Sequence, residues 1–197
     1  MTFLGAKQRR YSRQEFACNR NVPWPASVPF QHKITMPNII VGIGGLAATN
    51  KPEDVLKTLG LGSCVAIVMV DPKTRTAGLA HIALPDSSVA RGGEAGSQPG
   101  RFVDTGIPAL IDEMQRLGAS DCYNFIVKVA GGACMLDDNN TFNIGKRNLL
   151  AVKKVLWEKG MGARSEDVGG NFSRSVRIDL TRGSVWVYVP GKGEWKI

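Results

Sequence analysis

The chain has 197 residues, a formal net charge of +8, 43% hydrophobic residues and four cysteines. That length suits a core able to stand without disulfides or metal, and no apolar run approaches a membrane span, so membrane insertion is excluded. Cys18, Cys64, Cys122 and Cys134 form no CxxC pair and share no zinc-like histidine spacing, which points to free thiols in a reducing cytosol and to no metal site.

Residues 1–36 carry six Lys/Arg against Glu15, which leaves 19 positive and 16 negative charges for the remainder. Most of the charge excess therefore sits in this tail. The tail places Pro23, Pro25 and Pro29 around Trp24, lacks apolar periodicity and holds no secretory h-region. It reads as a basic N-terminal extension, flexible or draped over a single folded domain spanning 37–197. No stacking motif or basic helix accompanies the charge, so nucleic acid is not an expected partner.

The first strand is expected at Ile39-Ile-Val41, running into a glycine turn at Gly42-Ile-Gly44. A dinucleotide fingerprint would need a third glycine and a following helix, and neither arrives. Val55 to Thr58 reads as a short strand leading into Gly60-Leu-Gly62-Ser63-Cys64. Val65 to Val70 is a continuous apolar strand, and Ala77 to Leu84 a less pure one. Asp71-Pro-Lys-Thr-Arg75 between them is a turn, because proline presets φ and aspartate accepts bonds from the following backbone. The two strands therefore form an antiparallel hairpin that brings Cys64 near His81, one of only two histidines.

Two readings of Cys64 stand side by side: a small buried hydrophobe, or a nucleophile whose proton His81 takes. With Val70 opposite Thr76, Cys64 lies one residue from facing His81. A shared face then needs either the register that puts Cys64 directly opposite His81 or a bulge. Glycines before the strand leave room for substrate, and backbone N–H groups at Gly62 and Ser63 suit a developing oxyanion.

Arg91 to Gly100 is a polar glycine-rich loop that directly follows the His81 strand and either borders the site or merely connects. A helix is expected from Thr105 to Gly118, with Pro108 in its first turn and a buried stripe of Ile107, Leu110, Ile111, Met114 and Leu117. Tyr123 to Ala130 reads as a strand running into Gly131-Gly132. A second helix follows Asn143-Ile-Gly145-Lys-Arg147-Asn148, with Leu149, Val152, Val155 and Leu156 buried. The phosphate-binding spacing GxxxxGK[ST] is absent here, so close backbone packing is the favoured meaning of these glycines over a phosphate cradle. Asp167 to Asn171 is a further glycine turn. Ser175–Leu180 and Ser184–Val189 form a terminal hairpin, with apolar residues on both faces of the second strand, which is expected to be covered on both sides. Strands outnumber helices and several connections are hairpins, so the expected fold is α+β, with mixed sheets stacked as a sandwich and helices flanking.

Thr58-Leu-Gly-Leu-Gly-Ser-Cys64-Val, Asp71-Pro72, Gly78-Leu-Ala-His81-Ile-Ala-Leu-Pro85-Asp86-Ser87, Gly131-Gly-Ala-Cys134-Met135, Asn143–Asn148 and Asp167–Asn171 together resemble the bacterial chemoreceptor glutamine deamidases (CheD). The blocks occur in the family's order from about Ile39 to Val189. The resemblance implies a fold like that of toxin-type cysteine deamidases. It also implies a site in which Cys64 is the nucleophile, His81 the base and Thr58 the residue orienting it. It further implies a cytoplasmic hydrolase that converts glutamines of chemoreceptor cytoplasmic domains to glutamate through a thioester, without cofactor. Receptor methyl-ester hydrolysis and docking of a CheC-type phosphatase belong to the same expectation. The alternative is a regulatory binding module for that phosphatase with the cysteine site secondary.

Overall fold

The apolar run after Cys64 and the run before Pro85 form β4 (Val65–Asp71) and β5 (Thr76–Ile82), each buried at every residue. Continuous burial follows from their place at the centre of a five-stranded sheet. In the computed structural model, which describes residues 38–90, 94–134 and 143–197, that sheet runs β2-β5-β4-β6-β7. Its other members are β2 (Leu46–Thr49), β6 (Ile126–Gly131) and β7 (Ala163–Val168). A second sheet runs β1-β3-β8-β9-β10. It comprises β1 (Asn38–Ile40), β3 (Val55–Leu61), β8 (Arg174–Asp179), β9 (Ser184–Val189) and β10 (Gly193–Lys196). The β1–β3 and β6–β7 pairs are parallel and the others antiparallel, so both sheets are mixed. The expected extension at 1–36 lies outside the described residues, as do parts of the loops after Ala90 and Cys134.

Alternation along the strands divides the core in two. Ala66, Val68 and Leu79 meet Leu56, Val176, Ile178, Val185 and Val187 between the sheets. Val65, Ile67, Met69 and Ile82 point the other way, onto the helices α2 (Val103–Arg116) and α3 (Ile144–Glu158). The molecule is thus an α+β sandwich whose two long helices cover one sheet. A Cβ on Gly78 would lie 2.8 Å from Leu110 Cδ1 and Met114 Sδ, so α2 rests on β5 where that strand lacks a side chain.

Several local expectations change. The face of β9 bearing Trp186 and Tyr188 is not covered: Tyr188 is 46% exposed, and the Arg177 guanidinium lies 5.3 Å from the Trp186 ring centroid. Aromatic residues on an outer sheet face are stabilised by such amphipathic neighbours as well as by a second layer. Helix α2 begins at Val103, so Pro108 lies within it rather than in its first turn. The strand expected from Tyr123 begins at Ile126 after a single 3-10 turn. Strands β2, β7 and β10 had no sequence signal, being short or polar and lying at sheet edges, where exposure removes the apolar pattern. The glycines near Gly131 do serve backbone packing: a Cβ on Gly145 would lie 2.5 Å from the Gly132 carbonyl oxygen.

Candidate active site

The glycine turn after β1 organises one side of the site. Val41 N–H still donates to Lys57 O at 2.7 Å, and the chain then doubles back, with Gly45 N–H on Gly42 O at 2.9 Å. Gly44 has φ +74, a region that favours glycine. The turn delivers three backbone groups. Gly45 O accepts from His81 N–H at 2.9 Å and Gly44 N–H donates to His81 O at 2.8 Å, which fixes the His81 backbone. Val41 O accepts from Thr58 Oγ1 at 2.8 Å.

Thr58 lies on β3 and His81 on β5, so they face each other across the sandwich. Both are buried, and Thr58 Oγ1 lies 2.7 Å from His81 Nδ1. A hydroxyl has one proton, and the Val41 carbonyl can only accept. The Thr58 proton therefore goes to Val41, and His81 Nδ1 must keep its own proton to donate to Thr58. This network assigns the neutral imidazole to the Nδ1–H tautomer, which leaves a lone pair on Nε2. His81 Nε2 is buried and has no hydrogen-bond partner among the described residues.

The hairpin pairs Val70 with Ala77 and Ala66 with His81, one residue from the expected register of Val70 opposite Thr76 and shifted the other way from the register that would put Cys64 directly opposite His81. The shift decides the facing. Residues directly opposite share a face, so His81 points between the sheets with Ala66, and Cys64, two residues earlier, packs against the same intersheet cluster. Cys64 and His81 are thus diagonal neighbours on one face, roughly 7–8 Å apart between Cα atoms in such a pair. No hydrogen bond joins them in this state, consistent with catalytic contacts that tighten only with substrate.

Burial pushes the half-buried Cys64 thiol above its ordinary pKa, with its own backbone N–H pulling back in part. Burial likewise holds His81 below the usual imidazole range, against the raising effect of the Val41 carbonyl. Desolvation penalises the charged form of each, so the resting pair is neutral thiol and neutral imidazole.

The loop between β3 and β4 is held by its carbonyls. Gly62 O accepts from Ala133 N–H and Cys64 O from Gly132 N–H, both at 2.8 Å. Ser63 O accepts from Asn148 Nδ2 at 2.9 Å. The N–H groups of Gly62 and Ser63 donate to no backbone carbonyl among the described residues, which leaves them available to an oxygen of a bound group, while the Cys64 N–H faces its own thiol. Gly131 is required for this approach: its φ is +106, and a Cβ there would lie 2.3 Å from the Cys64 carbonyl oxygen. An apolar cavity between α3 and the β6–β7 edge is lined by Val152, Leu156, Trp157 and Met161 and involves none of Thr58, Cys64 or His81.

The structure also brings in groups that sequence reasoning passed over. The Val41 carbonyl has no side-chain signal at all. Asn148 did have one: it shares the buried stripe of α3 with Gly145, Val152 and Leu156, where an amide needs partners. The loop 91–100, read as either bordering the site or connecting, ends at Gly100 against the Gly44–Gly45 backbone, and just beyond it Arg101 O accepts from Ala83 and Leu84 N–H at 3.0 Å. Residues 91–93 of that loop lie outside the described residues. Among the described residues no cluster of His, Cys, Asp or Glu could hold a metal ion, and no helix is long and apolar enough to cross a membrane.

A family model described as CheD chemotactic sensory transduction matches residues 83–189. A probable chemoreceptor glutamine deamidase CheD of Syntrophotalea carbinolica is 46% identical over 168 residues, covering 82% of this chain and 100% of the relative. The chemoreceptor glutamine deamidase CheD of Thermotoga maritima is 41% identical over 155 residues, covering 79% of this chain and 94% of its own. An alignment over 82% of 197 residues includes positions 58 to 81 wherever it begins. A solved structure, the Bacillus licheniformis hypothetical protein YfiH, overlaps with a TM-score of 0.39 and 14% identity over 62% of this chain and 49% of its own, too low to argue from. The matching model and these near full-length relatives place this chain in the CheD family.

Proposed function

We propose that the protein is a cytoplasmic protein-glutamine glutaminase that deamidates glutamine side chains of chemoreceptors, with Cys64 as nucleophile, His81 as general base and Thr58 as the residue orienting it. The observation that carries this reading is the buried, unpartnered His81 Nε2 on the face shared with Cys64, with Nδ1 held by Thr58. The names of the relatives supply the substrate class.

Nε2 takes the thiol proton as Sγ attacks the carboxamide carbon of the substrate glutamine. The carbonyl electron pair moves onto oxygen, where the N–H groups of Gly62 and Ser63 suit the developing charge. The imidazolium then protonates the amide nitrogen, the C–N bond breaks, and ammonia leaves a thioester. Water, deprotonated by the same Nε2, attacks the thioester and releases glutamate and the thiol. Because both resting groups are neutral, the charge pair forms only during reaction. The Thr58 hydroxyl brings no charge of its own, so orientation is its contribution. The same acyl chemistry extends to receptor methyl esters. Residues 37–197 carry this activity, and residues 1–36 are an extension outside it.

The test is incubation with a receptor cytoplasmic fragment, read as a mass gain of about one dalton per converted glutamine. Cys64→Ala is expected to abolish the gain. Equal conversion by that variant would end the mechanism proposed here, whereas no conversion by the wild type would leave the regulatory module for a CheC-type phosphatase as the reading.

A further inference from the structure

Asn148 lies near the start of α3 with none of its surface exposed. Its Nδ2 donates to Ser63 O at 2.9 Å and to Ala83 O at 3.0 Å. Two carbonyl acceptors settle the amide's orientation, because only its NH2 end can serve both. The location coincides with the end of the hairpin ladder. The last β4–β5 pair is Val65 with Ile82, so Ser63 and Ala83 stand just beyond it on the two strands. Ser63 immediately precedes the thiol, and Ala83 follows His81 by two residues.

A hairpin end without cross-strand bonds frays readily. Here the fraying end carries Cys64. Gly132 N–H holds Cys64 O and Arg101 O holds Ala83 N–H, but each anchors one strand to a third element. Among the described residues, only Asn148 joins the two strands beyond the ladder. Its Oδ1 is buried without a partner among the described residues. An apolar side chain would avoid that orphan acceptor but would leave the Ser63 and Ala83 carbonyls unpaired, so the donor pair is what this position supplies.

We infer that Asn148 is a positioning residue: its amide replaces the missing rung of the β4–β5 ladder and sets the separation between Cys64 Sγ and His81 Nε2. The inference rests on the reading of His81 as the base of Cys64. It predicts that losing the clamp uncouples thiol from imidazole.

The test is alkylation of Cys64 by iodoacetamide in the full chain across pH, resolved from the other cysteines by peptide mass spectrometry. Nε2 takes the thiol proton as Sγ displaces iodide, so His81→Gln should lower the wild-type rate near neutral pH and move the profile toward that of an unassisted thiol. Asn148→Ala should move it the same way, with a rate loss of about tenfold to a hundredfold. Asn148→Ser keeps one donor and should fall between; it decides the matter if Asn148→Ala does not fold. Val152→Ala, in the outer core one turn further along α3, should lower the melting temperature and leave the pH profile in place. An unchanged profile in the foldable Asn148 variants, or an equal shift in Val152→Ala, overturns the clamp. Since the probe needs no receptor, a wild type with the assisted profile that converts no receptor glutamine overturns the proposed function alone. A profile indifferent to His81→Gln overturns both.

Discussion

The β4–β5 hairpin has two ends that treat their buried titratable side chains in opposite ways. At the turn, Asp71 is buried, and its carboxylate accepts from Lys73 N–H at 2.9 Å, Thr74 Oγ1 at 2.8 Å and Ser120 N–H at 2.7 Å. The ladder there closes on the Asp71–Thr76 pair. At the other end the ladder stops at Val65–Ile82, and His81 Nε2 and Asn148 Oδ1 are buried without partners among the described residues. The same two strands supply both ends, so strand chemistry does not explain the difference. A buried group that is fully paired holds the fold together, whereas one left unpaired costs stability and keeps a bond free for something else.

That contrast breaks most sharply at Cys64, the proposed nucleophile. Cys64→Ala should cut deamidation by at least about a thousandfold while leaving the melting temperature unchanged or raised. His81→Gln comes next, with a loss of about a hundredfold or more in kcat and little change in KM. A rise in KM alone would show that His81 binds substrate rather than moving a proton. Thr58→Val keeps the shape and removes the hydroxyl that holds Nδ1, so a loss of roughly tenfold is expected, all of it in kcat. At the turn the pattern should invert. Asp71→Ala removes the acceptor of Lys73 N–H and Ser120 N–H, while Thr74 Oγ1 keeps Thr76 Oγ1 at 2.9 Å, and should cost about 2–4 kcal/mol of stability in denaturant titration, with kcat per folded molecule unchanged.

Acid separates the two ends as well. His81 is depressed from an ordinary 6.5 by burial, so the unfolded chain binds a proton that the folded site resists. Stability is therefore full above pH 6.5 and declines as pH falls through that value toward the folded pKa. Burial works to raise the Asp71 pKa, but its hydrogen bonds outweigh this and hold it below the ordinary 3.8, so its contribution is present above that value and is lost as pH falls below it. The decline beginning near pH 6.5 should vanish in His81→Gln, and the one beginning near pH 3.8 in Asp71→Asn. For the same reason deamidation should persist to a lower pH than an ordinary imidazole base allows. A kcat profile with its acid limb above pH 6.5 would contradict the neutral resting pair.

Much of the layout was legible along the chain. The continuous apolar run 65–70, the Asp71-Pro72 turn and the glycines before Cys64 announced the hairpin and its open end, because turn chemistry and burial are local signals. The stripes of α2 and α3 were legible for the same reason. Strands β2, β7 and β10 were not, since edge strands are recruited by a neighbour's unpaired backbone and need no pattern of their own. The covering expected over Trp186 and Tyr188 failed because apolar side chains on a strand do not specify how many layers cover it.

At the site the division is finer. Residue types and their order determined that a thiol and an imidazole would meet at one end of a hairpin. The tertiary structure alone decided that they share a face, because a one-residue change of register reverses every side chain and no turn residue declares it. It alone decided which nitrogen of His81 carries the proton, because that depends on the Val41 carbonyl, a backbone atom brought to Thr58 by a glycine turn in another part of the chain. Asn148 belongs to the same class. Its identity was readable, but the two carbonyls it ties are 85 and 65 residues away in sequence and become neighbours only when the ladder ends beside α3.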